Sequence, residues 1–257
     1  MPHKVIDVFE RLAPRYDEVL PFFRAMATEI VDALPIGDGT RVLDLGAGTG
    51  ALTARAMARG ALVTAIDAAP AMIARLRQEH PGVSAHVMDA HDLRFPDESF
   101  DVVMAGFVMH VLDDPDAAAR GVRRVLSPGG VFAFTAPGPP PGMDLPPQPG
   151  AGLWAEFEQY LPPGGGIGRP LNGGALLGDT GFTGVAAHPV SVDLPMPGGG
   201  ETLWRWHLSH GSAGFINDLP PDRRDEFRQR LVAATDEAGV RALRITTTLW
   251  TGRKAAE

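Results

Sequence analysis

Residues 41–50 read Arg41-Val-Leu-Asp-Leu-Gly-Ala-Gly-Thr-Gly50. A short apolar run breaks into glycines at every second position, and the following Ala51–Arg59 favours helix and stops at Gly60. A strand that turns through glycines into a helix brings its backbone close to a ligand and aims helix N–H groups at an anion. Gly46, Gly48 and Gly50 permit positive φ angles and an approach that a Cβ would block. The same period then repeats. Ala61–Ile66 is a second strand ending at Asp67, and Pro70–Glu79 is the helix after it.

Further along, strands at Ser84–Met88, Phe100–Met104 and Gly130–Thr135 alternate with helical segments, notably Asp116–Leu126. Such alternation predicts a parallel sheet with helices on both faces. Before it, Val5, Phe9 and Leu12, then Phe22, Met26, Ile30 and Leu34, recur at helical spacing; residues 1–34 therefore read as two amphipathic cap helices. After residue 136 the texture changes. Residues 137–179 are rich in Pro and Gly, with one short helix at Leu153–Leu161. Gly184–Leu194 and Arg241–Gly252 read as strands, and a helical pair lies between them, Thr202–His210 and Arg223–Ala238. The expected layout is one domain. It has a core over 36–136, a loop region at 137–179 and a C-terminal portion over 180–257 that carries a helical lid at 198–238.

Composition narrows the function. The 257 residues carry a formal net charge of −8, 44% hydrophobic residues, 31 Gly, 24 Pro and no Cys. Without cysteine there is no disulfide, zinc–thiolate site or thiol nucleophile. The acidic balance argues against nucleic acid as partner. No apolar run is long enough to span a membrane, and residues 1–19 lack the apolar centre of a signal peptide. The expectation is a cytoplasmic protein acting on a small molecule.

The glycine turn alone is ambiguous. Gly46, Gly48 and Ala51 also satisfy the G-x-G-x-x-G/A dinucleotide fingerprint, which keeps a nicotinamide oxidoreductase open. The company it keeps is more specific. Asp67 ends the second strand, Asp89-Ala-His91 follows the third, and Phe95-Pro-Asp-Glu-Ser-Phe-Asp-Val-Val103 leads into the fourth. Met109-His-Val111 and Arg124-Val-Leu-Ser-Pro-Gly-Gly130 come next, and Phe9-Glu-Arg-Leu-Ala-Pro-Arg-Tyr-Asp17 precedes the core. This ordered set resembles the class I S-adenosylmethionine-dependent methyltransferases, particularly the branch of the quinone-biosynthesis C-methyltransferases. The resemblance is close over residues 1–136; beyond them only the layout matches.

The resemblance implies an α/β, Rossmann-like seven-stranded sheet whose last strand, Arg241–Gly252, runs antiparallel. It implies S-adenosyl-L-methionine as cofactor and a small-molecule methyl acceptor, such as a secondary metabolite or quinone-like compound. Asp44 and the loop Gly46, Ala47, Gly48 and Gly50 would surround the methionine end, the loop backbone and the helix N-terminus favouring its carboxylate. Tyr16 would reach that carboxylate from the cap. Asp67, with Ala68, would hold the ribose, Met72 would pack on the adenine, and Asp89, Ala90 and His91 would read its amino edge. Phe107 would complete the cofactor site. An S-adenosylmethionine-binding protein that performs a rearrangement or cyclisation without methylation remains a second reading, since fold does not fix function.

His110 stands where the fourth strand ends, and open α/β sheets bind ligands at that edge. It is the first candidate for an acid–base group, with an unperturbed pKa near ~6.5; His210 and His207 stand behind it. Leu203-Trp-Arg-Trp-His-Leu-Ser-His210 places Trp204 and Trp206 in the lid, where they and Phe215 either line an acceptor pocket or dock the helices. His207 and His210 at i, i+3 have no third ligand in the sequence, so no metal is expected.

Overall fold

The computed structural model describes residues 3–145, 147–163, 165 and 168–256. Its centre is β1 (Arg41–Leu45), flanked in parallel by β2 (Leu62–Asp67) and β4 (Phe100–Ala105). With β3 (Ser84–Val87), β5 (Leu126–Pro137), β6 (Thr183–Pro195) and β7 (Ala242–Arg253), the sheet order is β3-β2-β1-β4-β5-β7-β6. Strand β7 runs antiparallel to both β5 and β6. The expected Rossmann-like sheet is therefore present, with the final strand reversed.

Period-2 alternation assigns each strand's residues to two cores. Val42, Val102, Met104, Val131 and Ala133 face one side. There they meet α2 (Phe22–Asp32) and α3 (Ala51–Ala58), together with the lid helices α8 (Gly199–His207) and α10 (Pro221–Glu237). Leu43, Leu45, Val103, Phe132 and Phe134 face the other. They pack against α5 (Pro115–Val125) and α7 (Gly173–Asp179). Helix α5 begins where Asp114 accepts the Ala117 N–H at 2.8 Å and Pro115 takes the first helical position; both are helix-start features.

Sheet order reverses between β1 and β4, so the crevice opens beyond their carboxyl ends. Two loops meet there: the glycine turn after β1 and Gly106-Phe107 after β4. Helix α1 (His3–Leu12) and α2 close over them, and α4 (Pro70–Glu79) supports α1 from below. Glu10 accepts the Ala71 N–H at 2.8 Å, and Arg75 donates to the Ala13 carbonyl at 2.6 Å. The cap is thus fastened directly to the helix that follows Asp67.

Two elements depart from the sequence reading. Helix α7 forms inside the 137–179 region, after α6 (Ala151–Phe157). Its Gly173-Gly174 start hides a helix signal that Asn172 supplies by accepting the Ala175 N–H at 3.1 Å. Gly173 is also required sterically, since a Cβ there would meet the Trp250 ring at 2.5 Å. The lid holds three helices among the described residues rather than two, because α9 (Ala213–Asp218) is too short to show a helical period.

Candidate active site

The glycine turn is fixed from behind. Gly46 and Ala47 donate to the Ile66 carbonyl at 2.8 and 2.9 Å, and Gly48 donates to the Asp67 carboxylate at 2.9 Å. Gly46 has φ 70°, and a Cβ on it would lie 2.3 Å from the Val108 side chain. Gly50, with φ 95°, meets His80 in the same way at 2.9 Å. The turn is a cradle that only glycine can form. The amides of Gly46, Ala47 and Gly48 are bonded within the chain, to the Ile66 carbonyl and the Asp67 carboxylate.

Asp44 lies under this cradle with 0% exposure. Thr53 donates its hydroxyl to Oδ2 at 2.6 Å, while Oδ1 has no partner. Burial lifts its pKa from 3.8 to about 7 against the lowering effect of the Thr53 bonds. An unpaired buried carboxylate oxygen is costly unless a ligand satisfies it. A cationic amine fits that position. Asp67, at the end of β2, accepts from Gly48 and, at 2.8 Å, from Ala69. Burial raises its pKa as well, opposed by these backbone bonds.

Asp44, Gly46, Ala47, Gly48, Tyr16, Phe23 and Phe107 line a small cavity of about 40 Å³. Sites for drug-sized ligands are usually ~300–1,000 Å³, so a nucleoside-sized ligand needs more room than this cavity encloses. The Tyr16 and Phe23 rings stack at 4.7 Å. Burial, then the charges of Asp67 and Asp17, keep the Tyr16 phenol protonated well above pH 10. Phe107 has φ 59°, a conformation uncommon for a bulky residue, and its N–H donates to Thr135 Oγ1 at 2.9 Å. Backbone strain at this wall is held by the sheet next to it.

On the far side of the same wall lies a cavity of about 640 Å³. Tyr16, Phe23 and Phe107 line both spaces. Phe9, Phe22, Trp154, Trp206 and Phe215 complete an aromatic lining, with Phe22 and Trp206 edge-to-face at 5.6 Å. His110, on a short turn after β4, reaches this cavity. Its Nδ1 is buried without a partner, and burial lowers its pKa to about 4.

His210 also lines the large cavity, but both its nitrogens are engaged. Nδ1 lies 2.6 Å from the Trp206 carbonyl, which can only accept, so Nδ1 carries the proton. Ser212 Oγ donates to the His207 carbonyl at 3.0 Å and lies 3.1 Å from His210 Nε2 and 3.0 Å from His207 Nδ1, so both rings meet at this hydroxyl. His207 is not among the residues lining the cavity. Trp204 likewise faces Phe227 of α10 rather than the cavity, docking the lid helices together.

The adenine-side candidates sit apart. Met72 is 1% exposed and packs with Ala13 and Ala69 under α1, so the protein itself covers the face expected to hold a ring. Ala68 continues the chain between Asp67 and Ala69. Asp89 Oδ1 accepts the His91 N–H at 3.0 Å and meets His91 Nδ1 at 2.7 Å, while Ala90 is buried in the second core. His91 holds Asp89 in place from beside it. Phe9, Phe22, Phe23 and Trp154 were not singled out from the sequence as site residues. Phe22-Phe23 follows Pro21 at the start of a cap helix, and that was the available signal.

A family model described as a methyltransferase domain matches residues 43–134. The nocamycin O-methyltransferase of Saccharothrix syringae is 30% identical over 249 residues, covering 88% of each chain. The chain belongs to the class I S-adenosylmethionine-dependent methyltransferase family. Another methyltransferase, the malonyl-[acyl-carrier protein] O-methyltransferase of Halorhodospira halophila, is 37% identical over 155 residues, 58% of this chain. The match spans about half of that relative's length, 51%. The methyltransferase fold is also shared with the solved structure of the [4+2]-cyclase SpnF, at TM-score 0.55 and 19% identity over 91% of this chain and 82% of that one.

Proposed function

We propose that this chain transfers a methyl group from S-adenosyl-L-methionine to O, N or C of a small molecule. The observation that carries the proposal is the shared wall. A glycine-cradled cavity with an unpaired carboxylate and a larger aromatic cavity meet across Tyr16, Phe23 and Phe107. Both relatives named above are O-methyltransferases, which favours oxygen as the methylated atom.

Bound S-adenosylmethionine supplies an electrophilic methyl on a sulfonium. Asp44 Oδ1 would take its ammonium, Asp67 its ribose hydroxyls and Asp89 its adenine edge. The aromatic walls exclude water and hold the acceptor against Phe107. Positioning and desolvation then carry most of the rate enhancement. His110 is the acid–base residue of the proposal. Its imidazole is neutral at pH 7 and its Nδ1 needs a partner, so an acidic hydroxyl on the acceptor can donate to it.

His110→Ala is expected to lower kcat about 100-fold, within the usual range for a general base, with S-adenosylmethionine affinity unchanged. The wild-type rate should stay level from pH 6 to 8 and fall only towards pH 4, where His110 gains its proton. Full turnover by the variant removes His110 from the chemistry. The proposal itself is tested by supplying S-adenosylmethionine with phenolic and enolic acceptors and following S-adenosylhomocysteine by mass spectrometry. Equimolar S-adenosylhomocysteine and methylated product support it. Acceptor conversion without S-adenosylhomocysteine assigns the chain to the cyclisation chemistry that the shared fold also hosts.

A further inference from the structure

The described residues that line the large cavity include four with ionisable side chains, Tyr16, His110, His210 and Arg169, and no Asp or Glu. Burial keeps both histidines neutral above about pH 4 and the Tyr16 phenol protonated. That leaves the Arg169 guanidinium. Its backbone N–H donates to the His110 carbonyl at 2.8 Å, which fixes the Arg169 backbone beside the candidate base. Among the described residues no carboxylate lies within ion-pairing distance of its side chain. Other arginines also lack an ion pair; Arg169 differs from them in its place, as the arginine among the described residues that line the aromatic cavity.

We infer that the acceptor is an aromatic molecule bearing an anionic group, its rings held by the aromatic walls and its anion seated on Arg169. The inference rests on the large cavity being the acceptor site. An arginine fork matches a carboxylate or sulfonate through two parallel hydrogen bonds, which a lone ammonium cannot do. The aromatic faces supply affinity without choosing among ring systems, so the charge supplies the selection. Arg169 also lies next to His110 in space, so the anion anchors one end of the acceptor near the residue that would receive its proton.

Two fluorescent probes with one ring skeleton test this in the full chain. 8-Anilino-1-naphthalenesulfonate carries an anion, and N-phenyl-1-naphthylamine is the same molecule without it. The wild type should bind the sulfonate about fivefold more tightly, the scale of a partly exposed charged pair, and 0.5 M salt should erase the preference. Arg169→Ala should abolish the preference through the sulfonate alone, and Arg169→Lys should restore only part of it. Phe215→Ala should weaken both probes, and unchanged circular dichroism shows that the variant is folded. Equal affinities in the wild type, or a preference that survives Arg169→Ala, overturn the inference while leaving the cavity assignment intact. Binding of neither probe, or no response to Phe215→Ala, overturns the cavity assignment and the inference with it.

Discussion

Asp67→Ala is expected to weaken S-adenosylmethionine binding at least about 100-fold by calorimetry. Two hydroxyls donating to one carboxylate are worth roughly 1.5–3 kcal/mol each, and each 1.4 kcal/mol is tenfold in affinity. The substitution does a second thing. Asp67 is the acceptor for the Gly48 and Ala69 amides, so its loss frees the glycine turn at the point where its shape matters. Asp67→Asn keeps one acceptor oxygen and should fall between the two, near tenfold. Wild-type affinity in the alanine variant would mean that the ribose lies elsewhere.

Asp44→Asn should separate stability from binding. The carboxyl has a folded pKa of about 7 against 3.8 for an ordinary aspartate. Between these values the folded state retains a proton that the unfolded chain releases, so stability is greatest below pH 3.8 and declines as pH rises to about 7. At about 1.36 kcal/mol per pH unit the full decline approaches about 4 kcal/mol. Asparagine does not titrate. Its unfolding midpoint in urea should therefore exceed the wild-type midpoint at pH 8, and the two should converge near pH 4. Affinity for S-adenosylmethionine should drop about tenfold or more, because the ammonium loses its charged partner. A variant no more stable at pH 8 would show that Oδ1 is already satisfied in the free protein.

The sheet and the cradle were readable because both rest on local rules. Alternating apolar residues select strands, and only glycine tolerates the positive φ at residues 46 and 50. Asp44 was readable by its place before the glycines, but its missing partner was not; that depends on Thr53 covering one oxygen only. The aromatic cavity was the least legible part. Its walls come from α1, α2, α6, α8 and α9, and no sequence spacing reports that Phe9, Trp154 and Phe215 converge. The partners of the lid histidines were equally hidden, since their i, i+3 spacing does not report that His207 and His210 meet at Ser212 or that His210 Nδ1 lies on the Trp206 carbonyl. The resemblance implies that Met72 packs on the adenine, and the cover that Ile6 and Phe9 of α1 place over it was not legible in the sequence.

The shared wall is the central claim, and a crystal structure with S-adenosylhomocysteine tests it most directly. The amino group is expected on Asp44, the ribose on Asp67 and the sulfur at Phe107, open to the cavity that holds His110. Ligand density away from the glycine cradle, or a sulfur sealed off from the aromatic cavity, would contradict it.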